Sequence, residues 1–365
     1  MTDRHLRRLA AAAEGAGAAG FAAVMVAPSP DLAYLTGYDP PPFERLTLLV
    51  VRPGSPPVLI VPELEKALAL ECPVGAELEI LAWTDGDDPY EAAAALLPGE
   101  GRIAVGDRMV ASHLLGLQWQ RPKVGFLPAS SVIWRLRAVK DDEELAVLAR
   151  AGRGADETFR QVCRLGFEGR REEEIAADLA RLLVENGHGR AAFTIVASGP
   201  NGASPHHEPG GRTIRAKDAV VMDFGGELGG YFSDTTRTVV VKEPPDGFAE
   251  IYDLVQEAQE AAFRAVKPRA AAQDVDRAAR DPIADAGHGD RFFHRTGHGI
   301  GREVHEPPYI VEGSATTLEP GMTFSIEPGI YLEGRFGVRI EDIVTVVEDG
   351  AERLNRSTRE LQIVP

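Results

Sequence analysis

Two cysteines, Cys72 and Cys163, are all that 365 residues contain, and they stand far apart in a chain long enough to bury a core without staples. A disulfide framework is therefore excluded, and free thiols in a reducing compartment, the cytoplasm, are expected. Long apolar runs are missing too: short pieces such as Leu48–Val51 and Ala219–Met222 are the best available, against the ~18 residues needed to span a bilayer. No membrane partner is expected. Basic residues are outnumbered, 39 Lys plus Arg against 56 Asp plus Glu for a net charge of −17. No Lys/Arg block forms a stripe that could follow phosphates, so no nucleic-acid partner is expected either. The stretch from Arg4 through the Ala-rich run to Ala27 has the outline of a secretion signal, but Glu14 and three glycines interrupt what would be its apolar core.

What is present is an ordinary globular composition, 44% hydrophobic and 26% charged, at a length that suits one large domain or two of ~150 residues. Residues 1–135 read as an α/β domain: a helix near 4–14, strands at Phe21–Val26, Leu46–Val51 and Val58–Val61, and a helix at Pro89–Leu97. The boundary falls where Arg135–Lys140 runs into Asp141-Asp142-Glu143-Glu144, acids that suit a helix N-terminus. Residues 136–365 read as an α+β domain. A helix to about Cys163 and another at Arg171–Asn186, closed by Gly187, precede strands at Phe193–Ala197, Ala219–Gly225 and Tyr231–Val241. Helices at Phe248–Val266 and Gln273–Ala286 then precede strands at Thr323–Leu332 and Val338–Val347. Helix pairs before two sets of hairpins suggest a duplicated half-unit, although no residue-level repeat is visible.

Acidic residues sit in both hairpins. Asp223 and Asp234 flank the turn Glu227-Leu228-Gly229-Gly230, so an antiparallel pairing centred there puts the two carboxylates opposite each other, about 4.5–5.5 Å apart at Cβ. Facing carboxylates repel and persist cheaply only with a cation between them. Glu327 and Glu341 repeat the arrangement about Gly334, in the turn Glu333-Gly334-Arg335. Of nine histidines, His206 in SPHHEP, His294 and His298 in HRTGHGIG, and His305 in VHEPP have suggestive neighbours. The glycines around His298 read as room for a ligand to approach, and imidazole suits a fifth ligand position beside carboxylates. His207, His5, His113, His188 and His288 read as structural.

The ordered series Asp223, Asp234, His298, Glu327, Glu341, within SDTTRT, GHGIG, VHEPP, SIEPG and GVRIED, resembles the proline-specific metallopeptidases of the pita-bread fold, family M24. These include Xaa-Pro dipeptidases (prolidases) and Xaa-Pro aminopeptidases. The helix and strand order before residue 135 likewise resembles the creatinase-like N-terminal domain of that family. The resemblance implies two divalent metal ions, Mn²⁺ first and Co²⁺ or Zn²⁺ as alternatives, with Asp223 on one ion, Asp234 and Glu341 bridging, and His298 and Glu327 on the other. Four carboxylates and a bridging hydroxide then nearly cancel two divalent ions. It further implies hydrolysis of the Xaa-Pro bond of dipeptides, or of longer peptides in an aminopeptidase, or a non-catalytic binding protein in a less favoured reading. Glu327 would move the proton, His206 and His305 would donate hydrogen bonds, His294 would contact substrate, and Arg339 would pair with a ligand carboxylate or with a substrate terminus. A substrate with proline at its second position and a homodimer are part of the same expectation. Phe193, Tyr231 and Tyr331 would wall the proline ring, and the loop Asp39–Thr47, with Glu44 and Arg45, would close the pocket of a neighbouring subunit.

Overall fold

A computed structural model describes residues 2–365, and the chain divides into two compact units, Met1–Arg137 and Ala138–Pro365. The first unit is built on a six-stranded mixed sheet in the spatial order Glu79–Trp83, Val58–Pro62, Leu48–Val51, Ala23–Val26, Gly101–Val105, Val124–Pro128. Its central strands are apolar at every position, and the pleat sends alternate residues to opposite faces. Val24, Val26, Leu49, Val51, Leu59 and Val61 join Leu9, Ala12 and Ala16 of the helix Thr2–Ala18 in one core. Met25, Leu48, Val50, Val58 and Ile60 join Ala93 and Leu117 in the other. The segment with the outline of a secretion signal thus comprises most of the helix Thr2–Ala18, whose buried stripe packs in this core, and the strand Ala23–Val26. Arg45, on the loop before Leu48, pairs with Asp85 and Glu44 of its own unit.

In the second unit the helix Asp142–Val162 starts on a capping box between Asp141 and Glu144. It and the helix Glu172–Glu185 cover one sheet, ordered Gln362–Val364, Thr235–Val241, Ala219–Leu228, Arg190–Ser198, with Tyr231–Phe232 paired to Ala219–Leu228. Helices Phe248–Ala265 and Ala272–Asp285 precede the other, ordered Glu306–Ile310, Gly297–Gly299, Thr323–Ile326, Asp342–Val347, Gly350–Arg353.

The two halves repeat each other bond for bond. Gly169 N to Ile214 O, Ile214 N to Arg170 O and Glu172 N to Arg212 O recur as Arg269 N to Leu318 O, Leu318 N to Ala270 O and Ala272 N to Thr316 O. Lys217 N to Val241 O and Val241 N to Asp218 O recur as Gly321 N to Val346 O and Val346 N to Met322 O. Left-handed backbone occupies equivalent places, Gly169 with Arg269 and Lys217 with Gly321. Backbone geometry is duplicated while residue identity is not, which is why the repeat is invisible in the letters.

Asp223 lies within the unbroken strand Ala219–Leu228, but the other strands break where their acids sit. The expected run Tyr231–Val241 is interrupted at Ser233-Asp234, and the runs Thr323–Leu332 and Val338–Val347 at Glu327-Pro328 and Ile340-Glu341. No helix of the described residues is long and apolar enough to cross a membrane.

Candidate active site

The first acidic hairpin differs from its expected register. Gly229 and Gly230 both adopt positive φ, so they alone form the turn, and Leu228 pairs with Tyr231. Asp223 therefore faces Thr236 rather than Asp234, and Asp234 stands diagonally across, on the same face, two residues back. The second hairpin has the expected register: Leu332 pairs with Phe336 around Glu333-Gly334-Arg335, and Ile326 with Asp342. The next rung in register is Glu327 opposite Glu341.

These two hairpins and the strand Gly297–Gly299 bring their acids together. Ligand atoms of Asp223, Asp234 and Glu341 lie within 4.8 Å of one another, as do those of His298, Glu327 and Glu341, and those of Asp234, His298 and His305. His298 Nε2 is 3.2 Å from Glu327 Oε1 and 3.7 Å from Asp234 Oδ2. Asp223 Oδ1, Asp234 Oδ1 and Glu341 Oε1 are buried without any hydrogen-bond partner. Three such oxygens in one place are costly in a metal-free interior and are what a divalent cation would satisfy. Burial and the negative charges of Glu341, Asp223 and Glu327 push the Asp234 carboxyl well above the ordinary range. Burial, with Glu327 and Asp223, does the same to Glu341. Glu327 goes the other way: burial alone would raise it, but the hydrogen bond and charge of His298, with His294 and Arg339, bring it to about 2.

Around these acids lies a cavity of about 570 Å³ lined by Phe193, Ile195, Pro205, His206, His294, Arg295, Val304, His305 and Arg339 as well as the five candidate ligands, a volume usual for a small-molecule site. His305 packs edge-on against His298 with ring centroids 4.1 Å apart. Burial, next to His298 and Arg295, lowers its pKa to about 4, so its imidazole is neutral at physiological pH. His294 is lowered by burial as well and meets Tyr331 OH at 2.8 Å through Nε2.

Arg339 turns to the acids. Its Nη2 donates to Asp223 Oδ2 at 2.7 Å, its Nη1 to Tyr331 OH at 2.9 Å and its Nε to Thr236 Oγ1 at 3.2 Å. This buried guanidinium sets one positive charge against the cluster of carboxylates, directly on Asp223.

Some expectations are corrected. The glycines beside His298 serve strand packing rather than ligand approach: a Cβ at Gly297 would fall 1.8 Å from Ser325 O, and at Gly299 2.3 Å from Pro307 O. Tyr231 leaves the cavity wall and donates to Glu144 Oε1 at 2.6 Å. Tyr331 stands behind the wall and holds His294 and Arg339. Three of the five histidines read as structural are bonded away from the site, His5 to Tyr34 O, His113 to Tyr90 OH, and His188 to Leu183 O and Ser233 Oγ. Sequence reasoning missed Thr236, whose hydroxyl donates to Glu341 Oε2 at 2.7 Å, and Ser325, which donates to Glu327 Oε1 and accepts from His298 N. Each sits two residues from an acid already singled out, and that spacing was the available signal.

Known proteins resemble this chain over nearly its whole length. Residues 146–348 match the metallopeptidase family M24 and residues 8–139 the creatinase/prolidase N-terminal domain. The chain is 47% identical to a probable dipeptidase PepE of Mycobacterium tuberculosis over 367 residues, covering 99% of this chain and 97% of that one. It is 38% identical to an Xaa-Pro dipeptidase of Lactobacillus helveticus over 352 residues, 92% of each. The crystal structure of dipeptidase PepE from Mycobacterium ulcerans superposes with a TM-score of 0.96 at 45% identity, covering 100% of this chain and 99% of that one. A pita-bread catalytic domain preceded by a creatinase-type domain makes this chain a member of metallopeptidase family M24.

Proposed function

We propose that the chain is a dipeptidase that hydrolyses the Xaa-Pro bond with two divalent ions. The observation that carries this is the convergence of three unpartnered buried carboxylate oxygens with His298 and Glu327 on the wall of one cavity. Asp223, Asp234, His298, Glu327 and Glu341 would hold the ions, Mn²⁺ first, with Co²⁺ or Zn²⁺ also suited to an oxygen-rich site. When bound, the ions would supply Lewis acidity and acidify a bound water toward neutrality.

The remaining chemistry falls to side chains. Glu327, ionised and facing the cavity, accepts the proton of the attacking water and passes it to the proline nitrogen as the C–N bond breaks. His305 and His206 line the same cavity and offer N–H donors to the scissile carbonyl oxygen as it gains negative charge. Tyr331 holds both His294 and Arg339, which in this reading would contact the substrate's ring and carboxylate. The relatives' names, dipeptidase and Xaa-Pro dipeptidase, support the dipeptide over longer peptides. A cytoplasmic homodimer is part of the proposal, supported by two unpaired, half-buried thiols and the family.

Metal-stripped protein should release alanine from Ala-Pro only after Mn²⁺ is restored, with little action on Ala-Pro-Ala. Asp234→Asn should lose both metal and activity, and Glu327→Gln should stay folded without turnover. Preference for Ala-Pro-Ala would make the chain an aminopeptidase. No cleavage of either with any of the three metals would leave a binding role.

A further inference from the structure

Outside the metal cluster, the most heavily satisfied charged group among the described residues is Glu172, at the start of the helix Glu172–Glu185. Its carboxylate is fully buried and is the meeting point of one loop. Oε1 accepts from Ser198 N at 2.7 Å, Ser198 Oγ at 2.7 Å and Asn201 Nδ2 at 3.0 Å. Oε2 accepts from Asn201 Nδ2 at 3.2 Å, His207 Nε2 at 2.9 Å and Gly210 N at 3.5 Å. The segment 198–210 is thus gripped at its start, middle and end by a single side chain. Its opposite side is pressed on the hairpin that carries Arg339, where a Cβ on Gly337 would fall 1.9 Å from Gly202 O.

The loop so held carries Pro205 and His206 into the cavity wall, and His206 is the residue next to the one Glu172 binds. His206 itself is exposed and on a turn, so nothing in its own environment sets its direction as tightly as its neighbour's bond does. Burying a carboxylate is expensive unless most of its acceptor sites are filled, and the donors that fill them here all belong to this loop. A shift of about 1 Å in a group that meets the transition state costs up to ~100-fold in rate.

We propose that Glu172 is a positioning residue: through His207 it sets His206 against the substrate carbonyl, and it contributes to turnover without touching substrate or metal. This rests on the function proposed above, in which His206 donates to that carbonyl. Glu172→Gln keeps the volume but replaces one acceptor oxygen with an N–H, which faces the donors of Asn201 and His207 or of Ser198.

The test is a double-mutant cycle on Mn²⁺-loaded protein with Ala-Pro as substrate, reading kcat and KM separately. Glu172→Gln should lower kcat about 10-fold or more with KM and Mn²⁺ stoichiometry unchanged. In the His206→Ala background the same change should lower kcat no further. His207→Gln, whose amide can still donate to Glu172, should retain more activity than His207→Ala. Equal losses in both backgrounds, or an unchanged kcat in Glu172→Gln, would overturn the proposal. If Glu172→Gln does not fold, the His207 pair decides in the same cycle: losses that add to that of His206→Ala overturn it and losses that do not add support it. Failure of wild-type protein to cut Ala-Pro would instead remove the underlying function.

Discussion

Thr236 and Glu341 occupy equivalent places in the two halves of the catalytic unit, and they touch each other. Thr236 Oγ1 donates to Glu341 Oε2 at 2.7 Å and Glu341 N donates to Thr236 O at 3.0 Å. The next equivalent pair does the same, Arg237 Nη2 to Asp342 Oδ1 at 2.6 Å with both side chains buried. The local twofold axis of the repeat therefore runs beside the acids, and the two members of the first pair have diverged in role, with the threonine orienting and the glutamate placed to ligate.

Thr236→Val keeps the shape of a β-branched strand residue but removes the donor to Glu341 and the acceptor for Arg339 Nε. Groups that orient ligands typically contribute 10- to 100-fold in metal affinity. Mn²⁺ affinity should fall by about that factor with the fold intact, as read by calorimetric titration; an unchanged affinity would show that Glu341 needs no such orientation.

The metal-free protein should show an unusual dependence of stability on pH. Asp234 and Glu341 titrate well above the ordinary carboxyl range when folded, so the folded state keeps protons that the unfolded state has released. Their contribution is complete below the unfolded carboxyl pKa and is lost as pH rises through the raised folded values. Metal-free Tm should therefore decline as pH rises above the ordinary carboxyl range, and less so in Asp234→Asn. Mn²⁺ competes with those protons, so its stabilisation should be larger at about pH 8 than at about pH 5 in differential scanning calorimetry.

Lys140 Nζ and Glu306 Oε1 form a 2.9 Å pair with both side chains almost fully buried, immediately after His305. Lys140→Met would strand a buried carboxylate, and breaking such pairs costs about 3–5 kcal/mol. Urea unfolding should show a loss in that range, whereas Lys140→Met combined with Glu306→Gln should recover part of it.

In the proposed homodimer, the loop Asp39–Thr47 of one protomer would close the pocket of its partner and set the selectivity for length. Deleting residues 40–44 should raise kcat/KM for Ala-Pro-Ala relative to Ala-Pro by about 10-fold, the scale of a modest steric discrimination. A ratio that stays constant would place the length filter elsewhere.

Much of this molecule can be read from its letters because its signals are local. Long amphipathic helices such as Asp142–Val162, with acids at the first turn, and strands buried on both faces such as Leu48–Val51 announce themselves by period. Strands such as Glu79–Trp83 and Val124–Pro128 lie at the two ends of the first sheet with mixed burial, so their pattern is weak. The short helix Pro30–Thr36 depends on Ser29 capping Leu32 N and on Gly37 at its end, a cue without apolar periodicity. The acids of the site are visible through two symmetric hairpins, yet the first of these sits two residues away from the register its spacing predicts, because a Gly-Gly turn is shorter than a turn beginning at Glu227. The bonds of Glu172 to Ser198 and His207 join residues far apart in sequence, which spacing does not encode.

The strand Gln362–Val364 lies parallel to Thr235–Val241 and completes the sheet that bears Asp223, so the first half of the repeat borrows an edge from well over a hundred residues downstream. Such non-local pairing carries a large loop-closure entropy that must be met before the contacts return it. During synthesis the first 137 residues can collapse on their own sheet, while the half containing Asp223 and Asp234 waits, with an open edge, for both the second half and this strand. The metal centre should therefore be among the last features to form, and its appearance should report completion of folding rather than initiate it.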